Sequence, residues 1–410
     1  MRTLLIIGYV WPEPKSSAAG SHMLSIIRLF KRESWRVIFA TPAQKTDFNF
    51  DLASEQIETQ EIEINDSGFD DYIKRIQPTA VLFDRFMMEE QFGWRVAESC
   101  PDALRILDTE DLQCLRGARQ TALKENRDFS WSDLNSDLAK REIASIYRCD
   151  LSLIISDFEM SLLTEHFKID PALLTHIPFM LDLKKIPLES PSFSERQHFV
   201  TIGNLRHAPN WDSLLYLQKI WPSIRKQLPN AELHIYGSYT PPKATALNNP
   251  KIGFMIKDRA DDVRQIMQKA RVCLSPLRFG AGIKGKFVDA MQSRTPSITT
   301  DIGAEGMTVG NPWPGLIANT AEAIAEQAVV LYQDEKLWAE KSNQCERLLR
   351  MVYDRENISK DLLIKVDFLL NNIGQHRANN FTGSMLNHHT VRSTKYMSKW
   401  IEEKNKGLNI

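Results

Sequence analysis

Residues 275–307 read SPLRFGAGIKGKFVDAMQSRTPSITTDIGAEGM, and no other stretch constrains the fold and chemistry of the chain as tightly. An apolar strand at 271–274 runs into a loop holding Gly280, Gly282 and Gly285, with Lys284 and Lys286 between and beside them. A helix opens at Phe287 with Asp289 in its first turn. Glycines let the backbone approach a ligand closely. Lysines and the amides of a helix N-terminus together attract phosphate. The loop is therefore expected to hold an anionic, phosphorylated ligand.

The segment sits in an alternation of strand and helix patterns. Short apolar runs separated by helical periods imply a parallel sheet covered on both faces. In the first half these runs lie at 4–8, 36–41, 80–84, 104–108 and 151–156. A helix at about 21–31 follows the first, and 131–148 reads as a long amphipathic helix. After Pro178 the chain turns polar, and 186–197, with Pro187 and Pro191, reads as an interdomain linker. The alternation then restarts, with strands at 199–203, 232–237, 251–256, 271–274 and 297–300. The units expected are 1–185, 198–353, a closing apolar helix within 354–373, and a polar tail at 374–410. That tail is expected to be mobile, with a short helix near 395–404. A length of 410 residues accommodates two such α/β domains.

Bulk properties exclude some classes. A net charge of −1 offers no general attraction to nucleic acid. The five cysteines lack C-x-x-C spacing, which argues against a zinc site and a disulfide framework and for a reducing compartment such as the cytoplasm. The apolar run before Trp11 is too short for a signal-peptide core. No segment approaches the ~18 apolar residues of a membrane span. A basic amphipathic helix with Arg28, Lys31, Arg32 and Arg36 leaves peripheral contact with the inner face of a membrane open, beside a plain core helix with a solvated face.

Three known loops compete for the glycine-rich letters. Gly280 to Gly285 fits the dinucleotide fingerprint G-x-G-x-x-G, with Asp301 as the later acidic residue. That fingerprint belongs after the first strand of its domain, and this loop lies deep in the chain. Gly280 to Lys286 fits a P-loop, but Phe287 stands where the magnesium-binding hydroxyl is required. The third pattern uses the whole segment: Val288-Asp289-Ala290-Met291, then Thr295-Pro296-Ser297-Ile298, then Gly303-Ala304-Glu305-Gly306. It resembles the donor-nucleotide region of retaining GT-B glycosyltransferases of family 4. The resemblance is strongest over 199–307 and continues more weakly from residue 1 to about 370. It implies two Rossmann-like α/β domains facing each other across a catalytic cleft, with the last helix crossing back to the first domain.

The same resemblance implies roles. In the loop after the first strand of the second domain, which includes Gly203, Arg206 would pair with the donor diphosphate; a guanidinium meets phosphate oxygens in bidentate fashion. His207 would either touch the donor or sit at the loop tip. Lys286 and Lys284 would stabilise charge on the leaving phosphate. Asp289 takes the place of the second glutamate of the family's E-x7-E pattern and would bind the ribose hydroxyls. The first glutamate falls at Ala281, so the backbone of Phe279, Gly280, Ala281 and Gly282 would contact the sugar. The nucleotide base would lie near 254–258, and 176–182 would form the step into the linker. In the first domain, Gly20 lies in the small-residue loop after the first strand, at the donor or as a helix-entry turn. Asp108, Glu110 and Asp111 follow a buried strand at the end that faces the cleft. One would orient the acceptor, or Asp108 or Asp111 would cap the next helix.

The reading is a retaining, metal-independent transfer from a nucleoside-diphosphate sugar to an acceptor hydroxyl, with no cofactor. A non-catalytic nucleotide-sugar-binding subunit and a sugar-nucleotide epimerase are the rivals. The acceptor, whether glycan, lipid-linked or protein, is not encoded in any motif.

Overall fold

The computed structural model describes residues 1–186 and 190–408. Part of the expected linker, 187–189, and the last two residues of the tail lie outside the described residues.

The first sheet holds β1 (Thr3–Ile7), β2 (Arg36–Thr41), β3 (Glu58–Glu61), β4 (Ala80–Asp84), β5 (Leu104–Asp108), β6 (Leu151–Ile154) and β7 (Leu174–His176). All pairs are parallel and the order is β3-β2-β1-β4-β5-β6-β7. The second sheet holds β8 (Gln197–Ile202), β9 (Leu233–Tyr236), β10 (Phe254–Lys257), β11 (Ala270–Leu274), β12 (Ser297–Thr299) and β13 (Gly315–Ile317). Its order is β10-β9-β8-β11-β12-β13, again all parallel. The central strands β1 and β4 are buried at every position, as a sheet with helices on both faces requires.

Both sheets present their C-terminal ends to one cleft, where loops of an open α/β sheet gather ligands. The chain crosses between the domains beside Leu181, whose amide donates to Tyr353 O at 2.9 Å and whose carbonyl accepts from Arg355 N at 3.1 Å. The helix Arg355–Asn379 then returns to the first domain, where Leu362, Val366 and Leu369 pack in one core with Leu4, Leu24 and Leu104.

The strand expected at 251–256 is a 3-10 turn at Pro250–Ile252 followed by β10, and two longer stretches also differ from the sequence expectation. The helix expected at 131–148 is two elements, a 3-10 turn at Trp131–Leu134 and an α-helix at Asp137–Arg148. Ser136 separates them by accepting from Ala139 N at 3.2 Å, an N-cap bond. The region expected as a mobile tail with a short helix is helical throughout Phe381–Leu408. Its docking is polar: Arg377 binds Asp150 and Ala103 O, Asn380 donates to Tyr147 O at 2.7 Å, and Lys395 pairs with Glu98. Apolar periodicity carries no trace of contacts of this kind.

Before β8, Arg196 is fully buried and ties the linker to the second domain. Its guanidinium donates to Pro191 O (2.9 Å), Thr295 Oγ1 (2.7 Å) and Ser293 O (2.8 Å). Charge-assisted bonds of this kind leave orphaned buried acceptors when the donor is removed. Arg196→Met is expected to destabilise the protein by about 3 kcal/mol, read as a lower urea midpoint with an unchanged slope.

Candidate functional site

The cleft contains a cavity of about 980 Å³ lined by both domains. On the second-domain side, β11 feeds the glycine loop, and the helix Gly285–Gln292 starts in the cavity wall. No side chain among the described residues caps that helix start; Phe287 N donates to Lys284 O at 2.9 Å, which leaves the amides of Gly285 and Lys286 for a ligand.

The two lysines of the loop are not equivalent. Lys286 Nζ donates to Asn210 Oδ1 at 2.8 Å and Ser275 Oγ at 3.1 Å, both neutral, and it has no carboxylate partner among the described residues. Burial pushes its ammonium down to about 8. Lys284 is turned under the loop, where Nζ donates to Gly282 O at 2.8 Å and Glu305 O at 3.3 Å. Burial, opposed by Glu305, pushes it down to about 8 as well. Lys284 thus braces the loop with its charge already spent on carbonyls, and Lys286 is the cation held ready for an anion.

Asp289 lines the cavity one turn into the helix, and burial, opposed by Arg264, pushes its carboxyl up to about 7. Gly203 and His207 line the cavity from the same domain, beside Asn210. His207 is exposed at the cleft mouth; desolvation within the cleft, followed by the charges of Arg116, Lys286 and Arg85, lowers its imidazole below the usual range. Arg206 does not line the cavity. It is exposed at the rim, stacked 4.7 Å from the centroid of the Tyr239 ring, whose hydroxyl donates to Glu13 across the cleft at 2.9 Å.

The loop backbone is engaged by the first domain. Gly280 O accepts from Arg119 Nη1 at 3.0 Å, and Arg119 also forms a two-pronged pair with Glu305 at 2.7 and 2.8 Å. Gly282 N donates to Glu159 Oε1 at 2.9 Å, and the same oxygen accepts from Leu112 N at 3.0 Å. Burial, against these amide bonds, pushes Glu159 up to about 7. Ala281 lines the cavity and also packs on the first domain's core. Phe279 is buried away from it. Arg119, Glu159, Asn210 and Ser275 were invisible as site residues in the sequence.

On the first-domain side the three carboxylates after β5 separate. Asp111 lines the cavity and pairs with Arg116. Glu110 lines it too, in a left-handed backbone conformation with φ +58°, an uncommon state for a residue bearing a Cβ. Burial and then the charge of Asp108 push Glu110 up to about 8. Asp108 lies behind, accepting from Glu110 N at 3.2 Å, with His22 Nδ1 3.8 Å from its other oxygen. Burial and Asp84 push Asp108 up to about 7. Neither aspartate caps the helix Gln113–Lys124, whose N-cap position is Leu112; Glu142 takes the amides of Gln113 and Cys114 instead. Gly20 also lies off the cavity: a Cβ there would come within 2.5 Å of Glu13 N, so it serves close packing of the helix Ala18–Arg32 against the loop before it. Ser17 and Ala18 line the cavity in its place.

The glycosyl transferases group 1 family profile matches residues 196–334, which hold all six strands of the second sheet and the glycine loop. The second domain belongs to glycosyl transferases group 1. Around this group 1 domain the full architecture aligns with solved structures. TarM of Staphylococcus aureus, in complex with Fondaparinux, alpha-GlcNAc-glycerol and UDP, superposes with a TM-score of 0.69 at 9% identity, over 89% of this chain and 100% of that one. Sucrose-phosphate synthase of Thermosynechococcus elongatus gives 0.68 at 14%, over 90% and 100%. HepE of Anabaena, in complex with UDP and glucose, gives 0.66 at 12%, over 90% and 100%. These likenesses establish the two-domain GT-B fold. An uncharacterized 44.6 kDa protein in the cps region of Klebsiella pneumoniae is 28% identical over 136 residues, 31% of this chain and 35% of that protein. The match thus spans about a third of that relative's length.

Part of the basic face read as open to membrane contact is paired within the first domain. Arg28 pairs with the Glu55 carboxylate, Lys31 donates to Glu55 O, and Arg36 pairs with Glu58 at 2.6 Å. No helix among the described residues is long and apolar enough to cross a membrane.

Proposed function

We propose that this protein transfers a sugar from a nucleoside-diphosphate sugar to an acceptor hydroxyl, with retention at the anomeric carbon and without a metal ion, in the assembly of a glycan or polysaccharide. The observation that carries the reading is Lys286, a half-buried ammonium in the cavity wall with only neutral partners, beside a helix start that no side chain caps. A partly desolvated cation of this kind favours a bound anion. A diphosphate supplies it and leaves Asp289 within the same wall for ribose hydroxyls. UDP in the TarM and HepE complexes and the cps-region setting of the Klebsiella relative favour this donor class and pathway.

The bond from the anomeric carbon to the diphosphate oxygen breaks as the acceptor oxygen bonds on the same face. The acceptor's proton passes to the leaving phosphate. Negative charge then grows beside Lys286 and the helix amides, which are already oriented for it. Glu110, whose carboxyl burial and then the charge of Asp108 bias toward the protonated form, is suited to donating a hydrogen bond rather than attacking carbon, which favours same-face transfer over a covalent intermediate.

A thermal-shift screen with UDP-, GDP- and ADP-sugars tests the donor class, and the anomeric configuration of the product by NMR tests retention. Absence of stabilisation by all three nucleotide sugars would sink the proposal. The pH dependence follows from Lys286. Its ammonium is charged below about pH 8 in the free protein. Donor affinity is therefore expected to be full below that pH and to weaken as pH rises through it, measured by calorimetric titration across the range.

A further inference from the structure

The C-terminal helix Phe381–Leu408 carries its apolar residues on the outside. Phe381 is 77% exposed, Met385 49%, Tyr396 67% and Trp400 61%. The positions it buries toward the helices Phe86–Ser99 and Asp137–Arg148 are small or polar, Ser398 and Glu402 among them. At about 100° per residue, these four side chains fall within an arc of about 100°, which Met397, 59% exposed, widens to about 160°, on the side away from Ser398 and Glu402. Scattered exposed apolar residues need no explanation, but an aligned stripe on a face that packs on nothing does.

The charges along the stripe indicate what covers it. The helix contains Arg392, Lys395, Lys399, Lys404 and Lys406 against Glu402 and Glu403. Lys395 pairs with Glu98, and Lys406 pairs with Glu402 and Glu403. Lys399 and Lys404 are exposed and have no carboxylate partner among the described residues; Lys404 Nζ lies 5.4 Å from the centroid of the Trp400 ring. Tyrosine, tryptophan and lysine beside large apolar side chains are the chemistry of a helix lying in the headgroup layer. The rings enter the acyl boundary while the lysine stems reach back to phosphate. A second copy of the chain would add further unpaired lysines, whereas anionic lipid supplies the missing counter-charge.

We propose that this face of Phe381–Leu408 docks the protein on an anionic bilayer, with the helix lying along the surface. The proposal is independent of the sugar-transfer reading. Vesicle flotation of the full chain tests it, with phosphatidylcholine alone and with about one third phosphatidylglycerol added. Flotation with the anionic vesicles is expected, weakening as salt rises. Tyr396→Ser with Trp400→Ser should reduce it at least about tenfold with the thermal midpoint preserved, since both side chains are exposed. Lys399→Glu with Lys404→Glu should also reduce it, by removing the electrostatic part alone. Flotation with neither vesicle overturns the proposal, as does flotation unchanged in both double variants. So does a concentration-dependent dimer, lost in the aromatic double variant, from a protein that ignores vesicles.

Discussion

Lys286→Ala is expected to lower turnover on the order of 10²-fold and to erase the thermal shift that a nucleotide sugar produces. The variant removes the loop lysine whose partners are the Asn210 side-chain oxygen and the Ser275 hydroxyl, in place of the two main-chain carbonyls that hold Lys284 under the loop. Lys284→Ala is the informative partner. It withdraws the brace between Gly282 O and Glu305 O, so it should lower the unfolding midpoint yet leave part of the nucleotide shift in place. The ligand-free protein should respond in the opposite sense at Lys286. A lysine holds its proton to about 10.5 in the unfolded chain and to about 8 here. Between these values unfolding takes up a proton, so this group makes stability rise with pH; below about 8 the penalty of burying the charge is fully present. Lys286→Met is therefore expected to raise the midpoint at pH 7 while abolishing donor binding, a gain that shrinks as pH climbs beyond 8. A variant that loses stability and keeps the nucleotide shift would overturn the assignment of the diphosphate to this loop.

What the sequence discloses depends on where the partners lie. Strands buried on both faces announce themselves as apolar runs, as β1, β4 and β5 do. The edge strand β3 reads Glu-Thr-Gln-Glu and is mostly exposed, and β7 and β13 have three residues each, so none carries such a signal. The glycine loop was legible because its letters are local. The division of labour within it was not, because Lys284 and Lys286 differ only in tertiary partners. Arg119 and Glu159 act on that loop from 161 and 123 residues away, on helices of the other domain. No spacing rule links them to Gly280 and Gly282. Arg206 illustrates the converse: its letters suit a phosphate, but the turn that carries it aims the guanidinium at Tyr239 on the rim.

Those long-range contacts make closure of the two domains the second step open to a large perturbation, at Gly282. Its φ of +62° lies in the left-handed region, which strains a residue with a Cβ by roughly 1 kcal/mol. A Cβ there would also sit 2.8 Å from Asp111 Cβ and 3.3 Å from Ile155 Cγ2 in the facing domain. The Asp111 Cβ is fixed to the first domain's backbone, so no rotamer change relieves that contact, and the second domain has to retreat. Retreat by a few tenths of an ångström loosens the 2.9 Å bond from Gly282 N to Glu159 and the 3.0 Å bond from Arg119 to Gly280 O. Transfer needs donor and acceptor held by opposite walls, and displacements on the ångström scale cost about 10²-fold. Gly282→Val is therefore expected to lose on the order of 10²-fold in kcat/KM. The nucleotide-dependent thermal shift should survive, because Lys286 and Asp289 belong to the second domain alone. That pattern, binding kept and transfer lost, is the reverse of a misfolded variant and distinct from Lys286→Ala. Full activity in Gly282→Val would mean that the sugar is transferred without the contact between Gly282 and Asp111.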